Sequence, residues 1–359
     1  MKNRKPLSAF KKGLLVYIGV FLLAALTALS VLYCFLRAYE QSRPENTVKE
    51  HIQTLALKCE GEAVEKALAE LDTNIRSTEE SISILKDELK NLSFRKDSVA
   101  STHDELIYNL YSGDRLIGSL RLENSDRHSF GLRFWELAEE KLDYSKFFNS
   151  VSLTLPSDFS LSVNGRELGE KYITQKDIEY NTLSGFYPHY SDLPTLVLYE
   201  SGKFLGDADI TVKDGSGNQV DTAELNETIF LSNCDKDTVA RISQFADEFI
   251  SRYVFFCANT NQNEYANHDY LKELVKPDSP LTDRMYNAFW AFGYSTVYSC
   301  DIVSRNINLV SDLGGRYLVD YSYTTETVAS AGPVQEDSNV RFLVSDNDGT
   351  LLAEAIFNY

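Results

Sequence analysis

A run of 24 residues without a charged side chain, at residues 13–36, constrains this chain more than any other feature. As a helix rising ~1.5 Å per residue it would be ~36 Å long, enough to cross a bilayer with some tilt. A cleaved signal peptide has a shorter apolar core and a small-residue cleavage site, whereas this run stays apolar through its last residues. We therefore predict a single transmembrane helix at residues 13–36, with the lipid bilayer as its partner.

Charge is distributed unevenly on the two sides of this run. Five of the 35 basic residues and no acidic residue lie in the first twelve positions, which leaves 30 basic against 53 acidic residues in the remainder, a net charge of −23. Basic flanking residues stay on the cytoplasmic side, so residues 1–12 form a cytoplasmic tail and the body lies outside the plasma membrane. An acidic body repels phosphate backbones, so we expect no nucleic-acid partner. The charge either keeps an exposed body soluble or attracts a basic partner.

The first segment outside the span, residues 37–148, begins with helical periodicity. Apolar residues alternate at spacings of four and three from Val64 to Leu92, a pattern that taken alone predicts a dimeric coiled coil. Ser77 and Glu80 lie in the middle of this pattern and form a capping-box sequence, which starts a new helix. We therefore favour two helices with a bend that pack within a monomer, and keep the dimeric coil as the alternative.

Strand periodicity follows the helices. From Phe94 the chain reads as an antiparallel meander that completes the first segment near residue 148. Residues 149–225 then read as a small β module and spacer. Its stretch "SLTLPSDFSLSVNG" contains two short alternating strands and ends in Asn164-Gly165, a pair that suits a two-residue hairpin turn.

Residues 226–359 repeat the order of the first segment. Asp237 can cap a long amphipathic helix, shorter helices follow, and four strands complete the chain. Alternation in the last strand places Leu351, Ala353, Ala355, Phe357 and Tyr359 on one face, so we expect Phe357 to pack near Trp290 or Phe256. The predicted fold class is α+β: an N-terminal transmembrane helix and two helix-plus-curved-antiparallel-sheet domains separated by a small all-β module.

This element order resembles the cone-shaped fold of nuclear-transport-factor-two-like (NTF2-like, SnoaL-like) proteins, over residues ~45–148 and ~226–359. The "VNGRELG" stretch at residues 163–169 is similar to PEGA-type β modules of exported bacterial proteins. The layout as a whole resembles membrane-anchored extracytoplasmic proteins of Gram-positive bacteria, including relatives of the teicoplanin-resistance-associated membrane protein. The resemblance implies an envelope protein or cell-wall component as partner.

Signals for metal or cofactor chemistry are weak. The five histidines are scattered singly, without a second ligand at helical or hairpin spacing, so we predict no metal site and no cofactor. "DGSGNQVD", at residues 214–221, lacks glycine at the sixth position and the closing glutamate of a calcium loop, and is interpreted as a hairpin turn. The disulfide state of the cysteines is left open, with buried free thiols favoured; outside the predicted span these are Cys59, Cys234, Cys257 and Cys300.

Three strand carboxylates, Asp301, Asp320 and Glu354, are the candidates for acid–base chemistry on a cone-shaped sheet. Alternation instead predicts that they lie on a wet face, with Tyr298, Cys300 and Ile302 forming the buried face around Asp301. We therefore predict no catalytic residue and no enzyme.

Aromatic residues of the third segment are the remaining candidates for a ligand pocket, although aromatic core explains such residues more often. The candidate pocket residues are Tyr253, Phe256, Trp290, Tyr298, Tyr321 and Tyr323. The predicted function is a non-enzymatic binding or scaffolding module. The alternatives are a carrier or sensor of a small apolar ligand in the C-terminal domain, and an isomerase- or dehydratase-like enzyme.

Overall fold

A computed structural model describes residues 9–223, 225–261, 263–289, 297–330 and 332–359. The chain divides into two compact units, each built from helices and antiparallel sheets as predicted. The first unit comprises residues up to Val151 together with Ser201–Ala208, and the second comprises Ser152–Glu200 together with Asp209–Tyr359. The chain therefore passes from one unit to the other three times.

The first unit begins with α1 (Ala9–Ser42). Within it, Gly13–Ser42 is long and apolar enough to cross a membrane, and its most apolar stretch has no buried residue. The predicted span at residues 13–36 thus lies inside one continuous helix. Pro44 occupies the first turn of the next helix, a position where the missing amide hydrogen costs nothing.

Three short helices follow α1, and they pack on one another rather than forming one long coil. Ser77 Oγ accepts from the Glu80 amide at 3.3 Å and the Glu80 carboxylate accepts from the Ser77 amide at 2.9 Å, so the predicted capping box is present. Leu85 and Leu89 are buried in the same cluster as Val48. The predicted bend and intramolecular packing are confirmed. The helices are α2 (Pro44–Lys58), α3 (Glu62–Ala69) and α4 (Thr78–Lys90).

A four-stranded antiparallel meander covers these helices, in the order β1-β2-β3-β4. Alternate side chains of β2 are buried against the helices. Gly118 is required where β3 meets β4, because a Cβ there would lie 2.0 Å from the Lys141 carbonyl oxygen. The strands are β1 (Ser93–Lys96), β2 (Glu105–Ser112), β3 (Arg115–Ser129), β4 (Leu132–Leu142) and, after one 3-10 turn, β5 (Phe148–Asn149).

The β module forms two small sheets, β6-β10-β9 and β13-β12-β7-β8. Asn164-Gly165 makes the predicted two-residue turn between β7 and β8, with φ of 54° and 73°. Between β10 and β12 the chain returns to the first unit, where β11 pairs with β5. The strands are β6 (Ser152–Pro156), β7 (Ser160–Val163), β8 (Arg166–Glu167), β9 (Ile173–Ile178), β10 (Leu196–Glu200), β11 (Phe204–Leu205), β12 (Ile210–Lys213) and β13 (Gln219–Val220).

The C-terminal part has helices followed by a four-stranded meander, as expected. The long helix is capped by Asp235 and not by Asp237, since the Asp235 carboxylate accepts from the amides of Asp237 and Thr238 at 2.9 Å. The elements are α5 (Glu227–Leu231), α6 (Lys236–Ala258), α7 (Glu264–Lys272), α8 (Pro280–Phe289), β14 (Val297–Asp312), β15 (Arg316–Ala329), β16 (Gly332–Asn347) and β17 (Thr350–Asn358).

This sheet is covered on both faces. Helix α6 packs on one face through the cluster that contains Phe249 and Phe342. On the other face Leu318 and Leu343 pack with Phe186 and other residues of the β module. The module is therefore packed into the same unit as the C-terminal sheet, a contact that the idea of a spacer did not include.

A register shift in the last hairpin changes which residues of β17 share a face. Leu343 pairs with Ala355 and Val344 pairs with Ala353, so Glu354 is the extra residue of a β-bulge. Ala353 joins the α6 side and Ala355 the module side. The predicted single face of β17 is wrong for this reason.

The bulge also places Phe357 on the face of the sheet that packs against the β module. Its ring lies edge-to-face on Phe186 at 4.8 Å and is stacked on His189 at 6.1 Å, both in the β module. The expected contact with Phe256, which belongs to the cluster under α6, is wrong. Trp290, the other expected neighbour, lies outside the described residues.

Candidate functional site

The predicted pocket aromatics lie mostly in a packed core. Tyr253, Phe256 and Tyr321 are buried between α6 and the sheet, and Tyr323 packs half-buried against them. Burial raises the pKa of both Tyr253 and Tyr321, and the Tyr321 hydroxyl donates to the Asp247 carboxylate. These four residues are brought together, as interior packing between helix and sheet.

The other two predicted pocket residues do not join this core. Tyr298 is 66% exposed, because a register shift between Val297 and Ser299 leaves it without a partner on β15. Cys300 and Ile302 do pack half-buried against the core. The predicted buried face is therefore wrong at Tyr298, and Trp290 lies outside the described residues.

Two of the three candidate carboxylates are buried, and each is paired with a cation. Glu354 accepts from Arg316 Nε at 2.8 Å and from Lys276 Nζ. Burial alone would raise the pKa of Glu354, but these hydrogen bonds outweigh it and the pKa is lowered. A general acid at neutral pH needs a raised pKa, so this arrangement holds an ionised carboxylate and suits a structural ion pair.

Asp320 is held in a similar way. Its carboxylate accepts from Arg341 Nε at 2.8 Å, from Asn308 Nδ2 at 2.8 Å and from the Tyr359 hydroxyl at 2.6 Å. Asp301, by contrast, is exposed on β14. The expectation of a wet face therefore holds for Asp301 and is wrong for Asp320 and Glu354, which lie buried in charged networks.

A cleft of about 910 Å³ lies between the β module and the C-terminal elements of the second unit. Its walls come from the β6–β7 turn, the β12–β13 turn, helix α5 and the β14–β15 turn. The lining residues include Asp158, Phe159, Tyr180, Asp214, Phe230 and Asp312.

Hydrogen bonds within the loops give this cleft its shape. The Asp214 carboxylate accepts from the Asn218 amide at 2.8 Å and the Ser216 amide at 2.9 Å, and the Asn218 hydrogen bond lowers the pKa of Asp214. This arrangement confirms the predicted hairpin turn at residues 214–221. Across the cleft, the Asn233 side chain donates to the Asp312 carbonyl at 2.7 Å and accepts from the Asp312 amide at 2.8 Å.

The lining of the cleft combines aromatic and acidic side chains. Phe159 and Phe230 lie edge-to-face at 5.6 Å. Asp158, Asp214 and Asp312 contribute carboxylates, and none of the lining residues is Lys, Arg or His. Such a surface can stack on an aromatic or aliphatic group while attracting a cation.

Sequence reasoning did not find this cleft, because its walls come from loops far apart in the chain. Two of its lining segments appear in the sequence analysis, residues 152–165 as short strands and residues 214–221 as a turn, and neither was predicted to form a site. Among the residues that the structure describes, no three or more His, Cys, Asp or Glu side chains group as a metal site would require. The absence of a cofactor and of catalysis stays a prediction.

No protein-family model matches the chain, and no curated protein matches it in sequence. The intermembrane space region of the chloroplast protein ARC6 is 10% identical, covering 32% of this chain and 94% of that chain with a TM-score of 0.26. An Ntf2-like protein involved in plasmid conjugation is 11% identical, covering 80% of this chain and 86% of that chain with a TM-score of 0.24. At these TM-scores neither similarity carries an argument about fold or function, and the predicted family resemblance stays a prediction.

Proposed function

We propose that this protein is a single-pass, membrane-anchored envelope protein whose extracytoplasmic body is a non-enzymatic binding module. Its ligand is a basic, aromatic-containing segment of an envelope partner, held in the cleft of the second unit. The observation that carries the proposal is the composition of that cleft: three aspartates together with the aromatic pair Phe159 and Phe230, and no cationic side chain among its lining residues.

The element order supports the finer family assignment. In both units helices precede an antiparallel meander, α2–α4 before β1–β4 and α5–α8 before β14–β17. This is the order expected of two NTF2-like cone domains with a PEGA-like β module, as in anchored extracytoplasmic proteins of Gram-positive bacteria. The packed aromatic core under α6 favours binding at the surface over a ligand carrier or an isomerase- or dehydratase-like enzyme.

Ion pairs and aromatic stacking contribute differently to the expected binding. Exposed ion pairs contribute about 0.2–1 kcal/mol each and are screened by salt, so the carboxylates supply orientation and encounter rate more than affinity. Stacking on Phe159 and Phe230 would supply the apolar part. We therefore expect moderate, salt-sensitive affinity.

Calorimetric titration of the detergent-solubilised full chain tests the proposal. The probe is a pentapeptide of alternating lysine and phenylalanine, compared with one in which glutamate replaces lysine. We expect only the lysine peptide to bind, and Asp158→Asn to weaken it about 2- to 5-fold, because one exposed ion pair is lost.

Asp301→Asn is the matched control, since it removes an exposed carboxylate of the same unit that lies outside the cleft. It should leave the affinity for the lysine peptide unchanged. Equal effects of Asp158→Asn and Asp301→Asn would reject the cleft as the binding site.

The orientation is tested separately. Protease added to protoplasts should digest the chain after residue ~40 and spare the basic tail, because positively charged flanks stay on the cytoplasmic side. Protection of the body from added protease would reverse the orientation and reject an extracytoplasmic role.

A further inference from the structure

The hairpin between β3 and β4 ends in an unusual turn. Ser129 pairs with Leu132, and the two turn residues, Phe130 and Gly131, have φ of 54° and 73°. Positive φ at both positions defines a turn that favours Asn-Gly, because a bulky side chain is strained in the left-handed region. Phe130 is also 55% exposed, so its ring is not held there by a buried core.

The same chain contains the favoured version of this turn. Asn164 and Gly165, between β7 and β8, have the same φ values of 54° and 73°. A phenylalanine at the first position is therefore not required by the backbone, and it replaces a residue that would fit better. A local preference that is violated at a half-exposed position points to a role for the side chain itself.

The position of the ring indicates that role. Phe130 lies edge-to-face on Phe35 of α1, with ring centroids 5.8 Å apart. An open groove of about 740 Å³ runs between α1 and Phe130 at the end of the β3–β4 hairpin. On the helix side it is lined by Ala24, Thr27, Ala28, Val31, Leu32 and Phe35. Spacings of three and four place these residues on one helical face, inside the predicted span at residues 13–36.

The groove has an apolar character throughout. Its only hydroxyl, on Thr27, donates to the Leu23 carbonyl at 2.9 Å within the helix. A surface that continues the lipid-facing side of a membrane helix, and that offers no unpaired polar group, matches acyl chains. The acyl chains that surround α1 in a bilayer would therefore extend into the groove, and lipid is its occupant.

We propose that the β3–β4 hairpin is a second membrane contact, in which Phe130 enters the outer leaflet at the level of Phe35 and lipid fills the groove beside α1. This inference rests on the membrane anchoring under the proposed function. Aromatic rings are favoured at the boundary between acyl chains and headgroups. A second contact point would hold the first unit at a fixed orientation to the bilayer, which one helix cannot do.

Quenching by brominated lipid tests this contact. The full chain is reconstituted in phosphatidylcholine vesicles with brominated acyl chains, as Phe130→Trp and as Leu116→Trp, and the signal of the two native tryptophans is subtracted with the parent protein. Leu116 is the matched control, because it is 51% exposed and lies at the opposite end of β3. We expect the Phe130→Trp indole to be quenched at least ~3-fold more strongly, since only that end of β3 reaches the acyl region.

Equal quenching of the two indoles would overturn the proposal. Vesicle flotation separates the two hypotheses: protein that does not float with vesicles overturns the anchoring and this inference together. Protein that floats without preferential quenching at position 130 overturns this inference alone.

Phe130→Asn provides an independent check that does not disturb the fold, because asparagine suits the turn. Hydrogen exchange in β3 and β4 should stay as slow as in the parent in detergent. The additional protection that vesicles give to residues 127–133 should be lost. Full retention of that protection in Phe130→Asn would also overturn the proposal.

Discussion

Replacing Glu354 by glutamine should destabilise the C-terminal sheet substantially. The side chain is 2% exposed, and its carboxylate lies between Lys276 and Arg316. Glu354→Gln keeps the shape of the side chain and removes its charge, so two cations lose the anion that they share. The backbone around it is also fixed, since the Lys276 amide donates to the Ala353 carbonyl at 2.9 Å.

The size of the destabilisation depends on how well water can replace the Glu354 carboxylate as a partner of the two cations. Removing one partner of a fully buried pair costs about 3–5 kcal/mol. Lys276 and Arg316 are 37% and 21% exposed, and Arg316 keeps a second partner, Asp192 Oδ2, at 2.6 Å. Partial solvation lowers the expected cost to about 2–3 kcal/mol, which corresponds to about 30- to 150-fold faster exchange of amides that open with the sheet.

The assay is hydrogen exchange of the full chain in detergent, followed by mass spectrometry on peptides from β15–β17. Glu336→Gln is the control, an exposed carboxylate on the same sheet whose loss should change the free energy of opening by less than about 0.5 kcal/mol. A change below ~3-fold at Glu354→Gln would refute the reasoning, because the cations would then be satisfied by water alone.

The stability that Glu354 contributes should also depend on pH. The pKa of Glu354 is lowered from its usual value of 4.5: burial opposes the shift, and the hydrogen bonds from Lys276 and Arg316 outweigh it. A carboxyl with a lowered pKa in the folded state stabilises the fold above its unfolded pKa, and that contribution disappears as pH falls through the folded value. The difference between wild type and Glu354→Gln should therefore be constant near neutral pH and shrink below about pH 4.5.

Three further predictions concern other parts of the fold. Ser77→Ala should destabilise α4 by about 1 kcal/mol, measured by hydrogen exchange, and the mass in light scattering should stay that of a monomer. A change in mass would instead support the dimeric coiled coil. Gly118→Ala should lower the free energy of unfolding of the first unit by about 1–3 kcal/mol in urea titration, because its Cβ would overlap the Lys141 carbonyl, whereas Ser119→Ala should not. Burial raises the pKa of Cys257 to about 11, so at pH 8 only about one thiol in a thousand is ionised and iodoacetamide should label it only after unfolding; rapid labelling of the folded chain would contradict this.

Local signals in the sequence were sufficient for most helices and strands. The capping box at Ser77 and Glu80 distinguished two packed helices from one coiled coil, because it satisfies backbone amides that only a helix start leaves free. Asn164-Gly165 located a turn because this pair of residues tolerates positive φ at both central positions. Each of these depends on residues a few positions apart, which a single sequence displays.

Features set by pairing between distant strands were not predictable. The bulge at Glu354 depends on the register of β16 against β17, and the unpaired position of Tyr298 depends on the register of β14 against β15. No local preference marks either site, yet each shift moves neighbouring side chains to the opposite face. The acidic cleft was missed because it exists only after turns from distant parts of the chain meet.

The return of the chain at Ser201–Ala208 has a consequence for how the protein is made. Leu205 is buried in the core of the first unit, and the backbone of Lys203 forms a parallel β-bridge with Leu71. During synthesis the N-terminal unit lacks this piece until residues 152–200, which belong to the other unit, have emerged. A gene truncated at the end of β5 would encode an incomplete unit, so neither half can be exchanged, lost or acquired by recombination as one contiguous cassette.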